Sequence, residues 1–225
     1  MEVIAYLAAA FIGLSLGLIG GGGAILTVPV LVYLFGIHPL LATSYSLFIV
    51  GSTSLIGAIG NYREGQVDLK AAFFFGVASI STVFVIRKFV IPTIPEQLFS
   101  IWDYQLSSAL ATMIVFGLLM LLASMSMITG KQVEVQEQEC RNCVKFSKMI
   151  GYGIGIGLVT GLLGAGGGFL LIPAMIFLLK LPIKRAIGTS LLVIALNSLT
   201  GFAADLGHFN IEWGFLGSIT VIAIT

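Results

Sequence analysis

An all-α, polytopic membrane fold made of two homologous repeats is what this sequence predicts, and three observations carry the prediction. Of its 225 residues, 58% are hydrophobic and only 9% charged, with a mean hydropathy of +1.08. A soluble domain carries roughly 25% charged residues, and several apolar runs here reach the roughly 20 residues that a helix needs to cross a bilayer. Second, a gap-free shift of 144 residues lays "GLIGGGGAILTVP" (Gly17 to Pro29) on "GLLGAGGGFLLIP" (Gly161 to Pro173). Third, both segments carry a glycine cluster inside an apolar run, where a helix-interior glycine costs roughly 1 kcal/mol relative to alanine.

The first element covers residues 3–36, uncharged from Val3 to Gly36 and broken at Gly20, Gly21, Gly22 and Gly23. Its start, "MEVIAYLAAAF", has no positive n-region and reads as a membrane element rather than a cleaved signal. Helices are expected at about 40–60, 69–90 and 104–129, closing a first repeat over residues 1–129. The polar stretch 130–148, "GKQVEVQEQECRNCVKFSK", is a cytosolic loop. The second repeat, 149–225, has a broken helix at 149–180 and helices at about 183–204 and 211–225.

The register of the two copies persists well beyond the glycines. Ala42 meets Ala186, Ser46 meets Ser190, Ser54 meets Ser198, Gly57 meets Gly201, and "QVDL" (Gln66 to Leu69) meets "NIEW" (Asn210 to Trp213). Shared leucines would mean little in a chain this apolar. Glycines, a proline and serines at constant spacing mean a tandem duplication. The second copy stops at Thr225, early in the counterpart of 69–90, and is expected to be incomplete by one helix.

Positive charge selects the topology, because Lys and Arg favour cytoplasmic loops. If the broken elements cross the membrane, the eleven basic residues divide six against five. If they re-enter, Arg87 and Lys88 lie on one side and the other nine on the opposite side. The re-entrant reading is preferred. Each repeat then has three crossings, so the copies are inverted and the N-terminus is outside.

Irregular backbone at membrane depth is tolerated only where protein or a water-filled cavity satisfies it. Discontinuous helices at corresponding places in two repeats point to a transporter's binding site. Helices expected to start near Ala24 and Gly168 would aim free N–H groups and a positive dipole end into the breaks, an arrangement suited to an anion. Glycine lets a ligand approach the backbone. The expected substrate-binding residues are therefore Gly20, Gly21, Gly22, Gly23 and Ala24, with Gly164, Ala165, Gly166, Gly167 and Gly168 in the second copy. The next helices add hydroxyl and amide groups, Thr43, Ser44, Ser46, Thr189, Ser190 and Asn197, although such hydroxyls often bond their own backbone. Gly13, Gly17, Gly153, Gly157 and Gly161, at four-residue spacing, read as close helix packing instead.

No Asp, Glu, Lys or Arg falls in the middle of an apolar run, so Arg63 and Asp205, near helix ends, read as interfacial anchors. The charge of an anion would then be balanced by helix dipoles and hydroxyls, and a proton relay through an intramembrane carboxylate has no candidate. A net charge of +1 without a basic stripe excludes nucleic acid as a partner. The glycine clusters lack a following Lys-Ser/Thr and are not nucleotide loops. No cofactor and no enzymatic activity are expected. The only cysteines, Cys140 and Cys143 in "ECRNC", are the sole metal candidates. Zinc needs four ligands, and the only histidines, His38 and His208, are distant in sequence. The pair reads as loop thiols, or else as a metal or redox site completed by a second copy in a homodimer.

The paired "GLLGAGGGFLLIP" and "AIGTSLL", with "GLIGGGGAILTVP" and "ATSYSLF" in the first half, resemble the sulfite exporter TauE/SafE family of membrane permeases. That family has two related halves, each with a "G-x-x-G-x-G-G-G" segment, a following proline and an "A-x-G-T-S-L" stretch. The first half departs somewhat from the pattern, and the "ECRNC" loop lies outside it. The resemblance implies a permease of the cytoplasmic membrane moving a sulfur-containing anion such as sulfite or an organosulfonate. A carrier of another small anion, such as a carboxylate, and a membrane sulfur-relay protein using Cys140 and Cys143 are the alternatives.

Overall fold

The structure, a computed structural model, describes residues 13, 24–91, 97–101, 104–107, 146–163, 168–179, 181–207 and 211–224, with single helical positions between 114 and 125. Seven helices can be named: α1 (Ala24–Tyr33), α2 (Pro39–Arg63), α3 (Leu69–Val85), α4 (Phe146–Leu163), α5 (Gly168–Leu179), α6 (Ile183–Asp205) and α7 (Trp213–Ile224). A π-helical turn, Ile86–Val90, prolongs α3. By length and composition α2, α6 and α3 with its π turn are long and apolar enough to cross a membrane. Ile56, Ile59, Phe73, Val77 and Phe89 are exposed on these spans. An outer face this apolar is disfavoured in water and suits lipid.

Local chemistry sets several of the boundaries. Pro39 occupies the first turn of α2, where its missing N–H costs nothing. Asp68 caps α3, its carboxylate accepting from Lys70 N–H at 3.0 Å and Ala71 N–H at 3.1 Å. Past α1, Gly36 takes φ +64°, and Ile37 N–H reaches back to the Leu31 carbonyl at 3.2 Å. The position 144 residues on repeats that bond, Leu181 N–H to Met175 carbonyl at 3.3 Å.

Close contacts give the helix directions. A Cβ on Gly51 would lie 3.0 Å from Leu199, and one on Gly57 3.3 Å from Leu191, so α2 and α6 run antiparallel. Gly153 abuts Phe75 and Ala78, Gly157 abuts Ser79 and Thr82, and Gly161 abuts Val83 and Ile86, so α4 runs parallel to α3. Thr189 meets Asp68, Asn197 meets Ser79 and Asp205 meets Arg87, so α6 is parallel to α3 as well. Since α4 and α6 share one direction, the chain between them returns to the end from which α4 set out. α7 begins at the opposite end, where Glu212 N–H donates to Tyr45 Oη at 2.9 Å.

Two cores hold the bundle. One joins Ala72 and Phe75 of α3 to Leu171 and Met175 of α5 and Ala186, Val193 and Ile194 of α6, with Val50 of α2. The other joins Leu31 of α1 and Ala42, Tyr45, Leu47 and Ile49 of α2 to Leu216, Ile219 and Ala223 of α7, with Phe202 of α6. The shift of 144 residues carries Leu31 to Met175, Ala42 to Ala186, Ile49 to Val193, Ala72 to Leu216 and Phe75 to Ile219. It also relates two cross-bundle hydrogen bonds, both 2.9 Å long: Asp68 N–H to Thr189 Oγ1 and Glu212 N–H to Tyr45 Oη.

One element begins later than expected. A helix was expected from about residue 104, whereas Tyr104–Ser107 pairs antiparallel with Gln97–Ile101 as a short β-hairpin. Tyr104–Ser107 ("YQLS") alternates apolar and polar residues, which suits a strand better than a lipid-embedded helix. Farther on, Ile114, Gly117, Leu118, Leu121 and Met125 are helical and exposed, a spacing that places them along one side of a helix.

Candidate functional site

The crossing of α2 and α6 brings Gly51 against Leu199 and Gly57 against Leu191, and buried polar groups lie on both helices in this stretch. Ser54, Asn197 and Ser198 are at most 1% exposed. The hydroxyls of Ser54 and Ser198 have no hydrogen-bond partner among the described residues, nor has that of Ser46, which lies two turns away on α2. The Asn197 amide nitrogen donates to Ser79 Oγ at 2.6 Å, while its buried Oδ1 has no partner among the described residues. Buried polar groups are nearly always paired, and these unpaired ones among the described residues define the candidate site. Leu171, less than a turn beyond Gly168 at the start of α5, shares a core with Val50, Val193 and Ile194. The first turn of α5 therefore packs into the same core as the middle of α2 and α6.

The other expected site residues distribute unevenly. Thr43 donates to the Leu40 carbonyl at 2.7 Å and Ser190 to the Ile187 carbonyl at 2.9 Å, the local bonding common for helical hydroxyls. Thr189 Oγ1 accepts from Asp68 N–H, and Ser44 donates to the Asp205 carboxylate. Ala24 and Gly168 begin α1 and α5. Gly20 to Gly23, Gly164 to Gly167, Cys140 and Cys143 lie outside the described residues. Of the packing glycines, Gly17 lies outside the described residues, and Gly13, Gly153, Gly157 and Gly161 are close-packed: a Cβ on Gly157 would lie 2.7 Å from Ser79 O, and one on Gly13 would collide with the Ala223 backbone.

The reading of Asp205 as an interfacial anchor is corrected. It is 1% exposed and ion-paired to Arg87, with Oδ2 2.6 Å from Nη1 and both side chains buried. Arg87 Nε also donates to the Gly161 carbonyl at 2.8 Å. Four helices thus meet at one end of the bundle, α2 through Ser44, α3 through Arg87, α4 through Gly161 and α6 through Asp205. Two charges near the ends of separate apolar runs look like interface residues in sequence, and only the tertiary pairing takes both out of solvent. The signal available beforehand was the position of each, since both fall inside or at the edge of a span long enough to be buried.

A matching family model and the relatives that the chain resembles place it among membrane transporters. The chain belongs to the sulfite exporter TauE/SafE family, whose model matches residues 5–225. It is 29% identical over 219 residues to a probable membrane transporter protein of Xylella fastidiosa (strain 9a5c), covering 95% of this chain and 77% of the relative. The probable membrane transporter protein YunE of Bacillus subtilis (strain 168) is 27% identical over 218 residues, covering 87% and 75%. A probable membrane transporter protein of Methanocaldococcus jannaschii is 26% identical over 223 residues, covering 95% and 74%. No solved structure matches the chain significantly.

Proposed function

We propose that the chain is a multi-pass secondary transporter of the cytoplasmic membrane that moves a small sulfur-containing anion, sulfite or an organosulfonate, through a site at the α2–α6 crossing. The observation that carries this is the pair of buried hydroxyls of Ser54 and Ser198, without partners among the described residues, which the 144-residue shift relates. Hydroxyl donors and helix N-termini stabilise an anion without placing a full positive charge beside it. The glycine clusters, Gly20 to Gly23 and Gly164 to Gly168, supply the N–H groups in this reading. Asn197 completes the lining.

The repeats are inverted in this reading. The antiparallel directions of α2 and α6, which correspond under the shift, support it, as do the two corresponding hydrogen bonds of Tyr45 and Thr189. The return of the chain between α4 and α6 supports a re-entrant hairpin. Residues 130–148 are then cytosolic and the start of α2 is outside. A His38→Cys variant should react with an impermeant thiol reagent added to intact cells. Reaction only after the cytosolic face is opened overturns this orientation.

Uptake by proteoliposomes tests the substrate. Sulfite, thiosulfate, sulfoacetate or taurine should be carried in preference to simple carboxylates. A preference for carboxylates overturns the sulfur reading, because hydroxyls and dipoles alone do not select sulfur over carbon. Ser54→Ala combined with Ser198→Ala should weaken the affinity for the transported anion at least about tenfold, since each hydrogen bond to a charged group is worth ~1.5–3 kcal/mol. Unchanged affinity in the folded double variant removes these hydroxyls from the site.

A further inference from the structure

The guanidinium of Arg87 carries five N–H donors. Nε donates to the Gly161 carbonyl at 2.8 Å, while Nη1 lies 2.6 Å from Asp205 Oδ2 and 3.5 Å from Ser44 Oγ. Nη2 is buried and has no partner among the described residues. Thr160 adjoins in sequence the glycine whose carbonyl Arg87 holds; it is 1% exposed, and its Oγ1 has no partner among the described residues. If the pair served only to fasten helices, Nη1 and Nε would suffice. Keeping two further strong donors from water is unfavourable unless they meet an acceptor. Fixed donors on a planar fork favour a compact group with several oxygens. Ser44 and Ser54 are ten residues apart on α2, about 15 Å along the helix, so this place is distinct from the crossing.

We propose that Arg87 Nη2, together with Thr160 Oγ1, is a second binding station for a small oxyanion at the end of the bundle where α2 begins. The inference rests on the anion-transport reading and adds to it a charged station separate from the central hydroxyls. Asp205 is the counter-ion that orients Arg87 through Nη1, and it competes with the bound anion for the guanidinium. Ser44 donates to Asp205 and holds the carboxylate in place.

Sulfite binding to the purified full chain in nanodiscs, measured by calorimetry, tests this with four variants. Arg87→Lys keeps a cation for Asp205 but has no second nitrogen, and it should lose at least about tenfold in affinity while remaining folded. Asp205→Asn should bind sulfite at least as tightly as the wild type, because the competing carboxylate is gone. Arg87→Gln and the charge-neutral pair Arg87→Gln with Asp205→Asn should both bind weakly. The paired variant decides the matter where Arg87→Gln alone does not fold. Wild-type affinity in that folded pair overturns the station, and so does a folded Asp205→Asn protein that has lost binding. A wild-type protein that neither binds nor transports sulfite overturns the function reading and the station with it. Binding that is indifferent to Arg87 overturns the station alone.

Discussion

Arg87→Gln is expected to lower the stability of the fold by about 3–5 kcal/mol, the usual consequence of removing one partner from a buried ion pair. Asp205 would remain 1% exposed with Ser44 as its donor, and a carboxylate out of water cannot recover its hydration. Gly161 would also lose the guanidinium that holds its carbonyl. Adding Asp205→Asn should recover most of the loss, because the second substitution removes the stranded charge and leaves two amides able to bond each other. Denaturant-induced unfolding of the detergent-solubilised protein, followed by circular dichroism, measures both. A single variant as stable as the wild type, or a double variant less stable than the single, contradicts this account of the pair.

Gly157→Leu is expected to separate α4 from α3. A Cβ at that position would lie 2.7 Å from the Ser79 carbonyl oxygen and 2.9 Å from Thr82 Cβ. A backbone carbonyl cannot step aside without moving its helix, and leucine adds three more carbons in the same direction. Overpacking of this kind costs ~1–3 kcal/mol and more where the neighbour is backbone. Gly151 and Gly155 supply the control on the same helix, since both are exposed and a Cβ there meets nothing within 4 Å. Gly151→Leu and Gly155→Leu should be neutral or stabilising by up to about 1 kcal/mol, since leucine is the better helix former. Equal effects at 155 and 157 in the same unfolding assay would show that helix propensity, not the contact with α3, governs this helix.

These two residues differ in how openly the sequence declares them. Gly153, Gly157 and Gly161 recur at four-residue spacing in an apolar run, a pattern that by itself means close helix packing, and α3 lies against all three. Apolar run length likewise marks out α2, α3 and α6 as candidate spans. Arg87 and Asp205 are 118 residues apart, and each taken alone resembles a charge anchored at the membrane surface. Pairing is a property of the fold, so no local pattern announces it. The serines show the same division. Repeat spacing singled out Ser46 and Ser190 together, yet Ser190 bonds its own helix while Ser46 does not. That choice depends on rotamer and neighbours rather than on residue type. The β-hairpin has no distinct sequence signal because its second strand runs straight into a long apolar segment.

The two cores carry a consequence for biogenesis. Ala72 and Phe75 belong to the first half of the chain but are buried against Leu171 and Met175 of the second. Leu31 and Tyr45 in turn wait for Leu216 and Ile219. Neither half encloses its own interior, so a ribosome that has released only the first half leaves an apolar seam facing lipid. The seam closes only when the later helices enter the membrane beside it. Insertion can proceed helix by helix, but assembly into the native bundle is postponed until α7 has been made.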